Sequence, residues 1–351
     1  MPSPLKLKFP TEAVVVLLHG FPDDNSTFQP LCAFLAKNGY RCLAPQLPGY
    51  GPLDDGVDCS LLALSSWVFA FLEKQMIPEG VDVHLVGHDW GSQIAQHCVS
   101  ARPGYFKSVV LMSVPISMFE NAIISIPRGS TQLLNSWYMI FFQLPFLPEA
   151  WLLRHDGLGY LLKTWSPTWD STSYSYVRRL ASIQGTLSSR PLVTRALSYY
   201  RTNVGLNNAV VRILLLTMYV PLLIFALVYE RLPKILQDSG GGADPLDFVF
   251  VLLATVVSKL HPLAKRYDTD KWPPVLSISG KRDGCVEATL FGRNIKGGGE
   301  KTTGAKGEAS NVRETMWLEN CGHWPHVEQE DLVRERILLH LRAHGDKAKK
   351  K

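Results

Sequence analysis

Val81-Asp82-Val83-His84-Leu85-Val86 runs directly into Gly87-His88-Asp89-Trp90-Gly91. The first six residues predict a buried strand, and Ser92 to Ala101 predicts a helix. The five residues between have the form G-x-S-x-G. That is the strand–helix turn that lifts a nucleophile to the end of a sheet, here with Asp in the serine position. Glycine on either side lets the chain make so tight a turn. An ordinary turn with a helix-capping Asp has the same local pattern, so the flanking chain has to decide between the two.

Upstream, Val14 to Leu18 is a continuous apolar run, as in a strand covered on both faces. It ends in His19-Gly20-Phe21-Pro22. A helix over Phe28 to Asn38 follows, with Ser26 as its expected cap and Gly39 as its stop. Arg41 to Ala44 predicts a short strand, Pro48-Gly49-Tyr50-Gly51 a loop, and Ser60 to Gln75 a helix. Downstream, Lys107 to Met112 predicts another strand. Strands alternating with helices at this spacing mean a parallel sheet with helices on both faces. The alternation stops after Pro115. Residues 116–262 are rich in Trp, Tyr, Phe and Leu and read as helical. The alternation resumes with a strand at 274–279 and another at 314–318, then an amphipathic helix over Gln329 to Ala343. Gly292 to Asn311 reads as a solvated loop. The expected organisation is an α/β core in two parts, 1–115 and 263–344, a helical cap over 116–262, and a basic tail over 345–351.

Composition narrows the function classes. Hydrophobic residues at 46% and charged residues at 19% supply a large core and exclude a disordered or collagen-like chain. The formal charge is +5, but the segment from Gly345 to Lys351 holds four Lys against one Asp, leaving about +2 on the body. That is too little for a nucleic-acid footprint. The six cysteines show no CxxC pair and read as reduced thiols. MPSPLKLKFP has no apolar core, so no signal peptide is expected and the catalytic core is placed in the cytosol.

Two later segments decide for chemistry. Ser279-Gly280-Lys281-Arg282-Asp283-Gly284 delivers Asp283 at the end of a buried strand. Asn320-Cys321-Gly322-His323-Trp324-Pro325 delivers His323 in the loop after the last strand. Each has a bland reading, a turn Asp before Gly and a helix-entry histidine. Together they give the order nucleophile, acid, histidine, at the strand ends where a parallel sheet places its ligands. The backbone N–H groups of Trp90 and of Phe21, in the His19-Gly20-Phe21-Pro22 turn, are the expected oxyanion donors.

HGFPD, LPGYG, GHDWG, the GxxD after a strand and CGHW near the end resemble the α/β-hydrolase family, and within it the epoxide hydrolases. The likeness covers Val14 to about Arg201 and Trp272 to Arg342. Haloalkane dehalogenases share the aspartate nucleophile and this layout. The resemblance implies two cap tyrosines that polarise an epoxide oxygen. Ser136 to Pro145 is similar to the first lid segment and assigns Tyr138. Leu197 to Arg201 is similar to the second and assigns Tyr200. Aromatics that simply pack a cap are the alternative for both. A dehalogenase would carry Asn or Trp directly after the HG, where Phe21 stands. A fluoroacetate dehalogenase would carry Arg after the nucleophile, where Trp90 stands. The implied partners are a small lipophilic epoxide and water, with no cofactor, no metal and no nucleic acid. A dehalogenase or another hydrolase with an aspartate nucleophile is the alternative. A non-catalytic ligand-binding relative is a third reading, opposed by the intact Asp89, Asp283 and His323.

The sequence departs from this family twice. The family begins with two further strands, and 13 residues precede Val14. The stretch from Asn203 to Trp272 is also long. Ile213 to Tyr229 holds no charge, at the lower limit of a membrane span, and Phe248 to Val257 is a second apolar run. An enlarged cap is one reading. Shallow membrane association through 209–260 is the other, and Lys347-Ala348-Lys349-Lys350-Lys351 would suit it as an endoplasmic-reticulum retrieval signal.

Overall fold

In the computed structural model the structure describes residues 13–51, 56–118, 132–154, 156–204, 267–290 and 313–345. The apolar runs become six strands: β1 (Ala13–Leu18), β2 (Tyr40–Leu43), β3 (Val83–His88), β4 (Ser108–Met112), β5 (Val275–Gly280) and β6 (Arg313–Leu318). They form one sheet in the order β2-β1-β3-β4-β5-β6, and every pairing is parallel. The four inner strands are nearly continuous apolar runs because both of their faces are covered. The edge strands β2 and β6 are only half-buried, and they carry Arg41, Arg313 and Glu314.

Alternate residues of one strand serve opposite layers. Val14, Val16 and Leu18 of β1 pack on α2 (Leu61–Lys74) and α3 (Trp90–Ala101) through Leu64, Val68, Ile94 and Cys98. Val15 and Leu17 pack on the other side, with Leu31 and Leu35 of α1 (Gln29–Lys37) and Val333, Ile337 and Leu341 of the C-terminal helix Glu330–His344. The expected two-sided α/β core is therefore present.

Register is what positions the site. Leu18 pairs with Gly87, so the turns leaving β1 and β3 begin side by side. Gly280 pairs with Leu318, so the loops carrying Asp283 and His323 do the same.

Local details differ from the sequence reading in three places. β3 runs on through Gly87 and His88 because these residues pair with Leu18 on one side and Met112 on the other. The helix then starts at Trp90, not Ser92. Ser26 does not cap α1; it lies in a 3-10 turn, Asn25–Phe28, and Asp24 accepts its N–H. Ser60 does cap α2, accepting the Ala63 N–H at 3.2 Å.

Between β4 and β5 the regular elements among the described residues are all helices. Those used below are α4 (Trp137–Phe141), α5 (Leu147–Arg154), α6 (Gly157–Trp165), α7 (Tyr174–Thr186) and α8 (Arg190–Asn203). Their contacts run to loops at the carboxyl ends of the strands. Tyr199 Oη donates to the Pro48 carbonyl at 2.6 Å, and Asn203 accepts the Leu61 N–H. Trp165 accepts N–H bonds from both Gly284 and His323. The apolar segment 209–260, the loop 292–311 and the tail beyond Gly345 lie outside the described residues. Among the described residues no helix is long and apolar enough to cross a membrane. The six cysteines all lie among the described residues, and no disulfide joins any of them.

Candidate active site

Asp89 stands at the junction of β3 and α3 with φ 52° and ψ −120°. Only a tightly constrained turn holds a non-glycine residue there. The constraint is packing: a Cβ on Gly91 would strike the Leu18 carbonyl oxygen, and one on Gly20 would strike Asp89 Oδ1. The Asp89 side chain makes no helix-capping hydrogen bond, so the capping alternative fails. Its Oδ1 instead accepts the Phe21 N–H at 2.7 Å, and its Oδ2 lies 3.4 Å from His323 Nε2. Trp90 opens α3, so its N–H has no intrahelical partner.

Asp283 lies three residues beyond β5. Its Oδ1 accepts the N–H groups of Cys285 and Val286 at 2.8 and 2.9 Å. Its Oδ2 is 2.9 Å from His323 Nδ1. The three residues predicted to act together therefore do meet, in the order Asp89, His323, Asp283, and all are buried. Burial opposes the His323 imidazolium. The Asp283 and Asp89 carboxylates outweigh it and push the pKa up to about 10.

The two predicted tyrosines also arrive. Tyr138 of α4 and Tyr200 of α8 are fully buried, with ring centroids 5.7 Å apart. Both line one cavity with Asp89, Trp90, Cys285 and Val286. Tyr200 packs edge-on against Phe21 and Trp90. Its hydroxyl lies beside the Trp90 side chain, whereas the Tyr138 hydroxyl lies 3.2 Å from Cys285 Sγ. Burial holds both phenols protonated, with pKa values well above the usual tyrosine range.

His19 has a different setting. Its Nε2 accepts the Leu47 N–H at 3.1 Å and its ring stands edge-on to Tyr50, so it ties the HGFP turn to the LPGYG loop. Gly20 gives Asp89 room, and the Phe21–Pro22 peptide bond is cis.

Several supports carry no recognisable sequence signal. Ser166 Oγ accepts the His323 N–H at 2.8 Å and donates to Glu328 Oε1 at 2.7 Å. Glu328 also accepts the N–H groups of Gly322 and Trp324, so one carboxylate braces the whole His323 loop. His88 Nε2 and Ser113 Oγ both donate to the His323 carbonyl.

A model described as the alpha/beta hydrolase family matches residues 15–336. Epoxide hydrolase 3 of Siraitia grosvenorii is 36% identical over 137 residues, 38% of this chain and 43% of that protein. The AB hydrolase superfamily protein YfhM of Bacillus subtilis is 33% identical over 145 residues, 41% of this chain and 49% of that one. The chain thus spans less than half the length of these curated relatives. Among solved structures, a mutant epoxide hydrolase from Bacillus megaterium complexed with its diol product has TM-score 0.63 and 15% identity. That match covers 94% of this chain and 93% of the other. A haloalkane dehalogenase loop variant from Bradyrhizobium elkanii has TM-score 0.60 and 15% identity, covering 95% and 89%. At such identities the structural likeness speaks for the fold alone.

Proposed function

Because the chain belongs to the α/β-hydrolase family, we propose that it is an epoxide hydrolase that opens epoxides to vicinal diols through a covalent ester on Asp89. One observation carries the reading: two buried, protonated tyrosine hydroxyls share a cavity with the Asp89 carboxylate. A carboxylate is ionised at neutral pH and attacks without a base. Two O–H donors in the same cavity suit an electrophile whose leaving group is an oxygen still attached to the substrate. A dehalogenase needs a halide cradle instead, and Phe21 brings no polar side chain to the position after the HG.

The geometry divides the labour between the two carboxylate oxygens. Oδ1 is held by the Phe21 N–H, which leaves Oδ2 to attack the ring carbon. The C–O bond of the ring breaks, Tyr138 and Tyr200 hold the departing oxygen, and one of them gives it a proton. The phenolate left behind is reprotonated at the expense of the His323 imidazolium, which leaves His323 neutral for the second step. The ester carbonyl oxygen is then Oδ1, already on an N–H donor where negative charge develops during hydrolysis. His323, oriented by Asp283, activates water against the Asp89 carbonyl carbon, and the diol leaves. The epoxide substrate, the helical segment as a cap, and the roles of Phe21, Trp90, Gly20, His19 and Pro22 around the oxyanion all belong to this proposal.

The tyrosine assignment is tested by Tyr→Phe variants. Each single change is expected to slow ring opening by roughly 10–10³-fold, somewhat less than the loss of a sole positioned acid because the other tyrosine remains, and the double change nearly stops it. Stopped-flow rates of ring opening on any turned-over epoxide decide it. Wild-type rates in both singles and in the double would remove the tyrosines from the mechanism.

The charge state of His323 gives a pH prediction. In the free protein two carboxylates flank the ring and keep it protonated at neutral pH. Esterification removes the Asp89 charge, one of the contributions that raise the pKa. The histidine then titrates lower and becomes the base. Ester hydrolysis should therefore slow as pH falls, because the imidazolium persists. Rapid quench between about pH 5 and 9 should show the ester accumulating on the acid side. A hydrolysis rate flat across that range would rule His323 out as the base.

A further inference from the structure

Cys285 stands two residues beyond Asp283 in the loop after β5. Its backbone is fixed at both ends. The N–H donates to Asp283 Oδ1 at 2.8 Å, and the carbonyl accepts from Gln132 Nε2 at 2.9 Å. Gln132 Oε1 in turn accepts the Glu287 N–H at 2.7 Å, so the loop is held from both sides of Cys285. The side chain is buried, lines the cavity that contains Asp89, and lies 3.2 Å from Tyr138 Oη. The Tyr200 hydroxyl instead has the Trp90 side chain beside it. The two cavity tyrosines are therefore not equivalent.

The direction of the contact follows from what each group holds. A phenol has one proton and two lone pairs; a thiol is a weak donor and a weak acceptor. If Tyr138 donated to sulfur, its proton would be spent on a poor acceptor. Its lone pairs would then face a cavity that already holds a carboxylate. If sulfur donates to Oη, the phenol proton is free to point into the cavity. A donor behind the phenol also strengthens the hydrogen bond it makes in front. Burial, with the Asp283 and Asp89 carboxylates nearby, pushes the Cys285 pKa well above the usual thiol range, so the sulfur keeps its proton.

We propose that Cys285 is a positioning residue for Tyr138: its S–H donates to the phenol oxygen and aims the phenol proton at the oxygen of the substrate. The inference rests on the epoxide hydrolase reading. It links the loop that carries Asp283 to the helix that carries one proton donor, so a single short loop serves both half-reactions.

The test is a double-mutant cycle with a spectroscopic arm. Cys285→Ala is expected to slow ring opening by roughly 3–10-fold, the scale of one lost hydrogen bond, with ester hydrolysis unchanged. In a Tyr138→Phe background it should add nothing; in a Tyr200→Phe background it should cost the same factor again. Cys285→Ser, which keeps a donor, should recover most of the loss. An equal loss in both tyrosine backgrounds would mean a structural role and overturn the proposal. The spectroscopic arm needs no substrate. The S–H stretch that disappears in Cys285→Ala should shift in Tyr138→Phe and stay in place in Tyr200→Phe. Normal epoxide turnover with an unmoved band overturns the positioning role alone. No turnover of any epoxide by the wild-type protein overturns the reaction reading, and the positioning role with it.

Discussion

Asp89→Ala should abolish turnover, a loss of about 10⁴-fold or more, because removing a nucleophile leaves only binding and the surrounding donors. Its companion, His323→Gln, should arrest the reaction halfway. Asp89 is still present and still held by the Phe21 N–H, so the ester forms. Nothing then activates water. Intact-protein mass spectrometry should find one substrate mass added, on the peptide containing Asp89. A single turnover of the wild-type protein in ¹⁸O-water supplies an independent check. The water attacks the ester carbonyl carbon, so the first label should enter the Asp89 carboxylate and not the diol. Label in the diol on the first turnover would mean direct attack of water on the ring, and Asp89 would lose the nucleophile's role.

What the sequence disclosed and what it withheld divide along sequence separation. The strands were legible because burial on both faces demands unbroken apolar runs such as Val14 to Leu18. The turn at Asp89 was legible because its flanking glycines are forced by close backbone contact, at Gly91 against the Leu18 carbonyl. Asp283 and His323 were legible because each follows a strand, and a parallel sheet brings strand ends together. Ser26 was misread because a capping residue is judged by its own neighbours, and Asp24 competed for the same turn. The Ser166–His323 and Cys285–Tyr138 contacts join residues 157 and 147 positions apart. Neither residue type is distinctive there, and only the docking of the helices on the sheet makes the pairings. The same holds for Arg179, which no motif singles out.

Loss of the Arg179 side chain, outside the site, should carry a large cost in stability. That side chain projects from α7 into the loop that follows Pro22, and it is buried with both its partners. Its guanidinium lies 3.2 Å from Asp23 Oδ1 and 3.3 Å from Asp24 Oδ1, and it donates to Ser26 Oγ at 2.7 Å. Asp24 is also satisfied by Ser182 and Thr186. Burial holds the pKa of Asp23 above the ordinary carboxylate value, and Arg179 opposes that rise. Arg179→Met keeps the bulk and removes the cation, leaving two buried carboxylates without it. Breaking a buried pair in this way costs about 3–5 kcal/mol, readable as a fall in the urea midpoint. The deficit should depend on pH with a definite sign. A carboxylate whose folded pKa lies above its unfolded one costs stability as pH rises past the unfolded value. Without Arg179, Asp23 moves further in that direction. Asp24, whose pKa is lowered in the wild type, also loses the stability it contributed above its unfolded value. Both changes act in one direction, so the deficit should be largest at neutral pH and shrink toward about pH 4. Adding Asp23→Asn should return part of the loss at neutral pH. A deficit that does not vary with pH, or a double variant no better than the single, would mean that Arg179 acts by packing its stem and not by its charge.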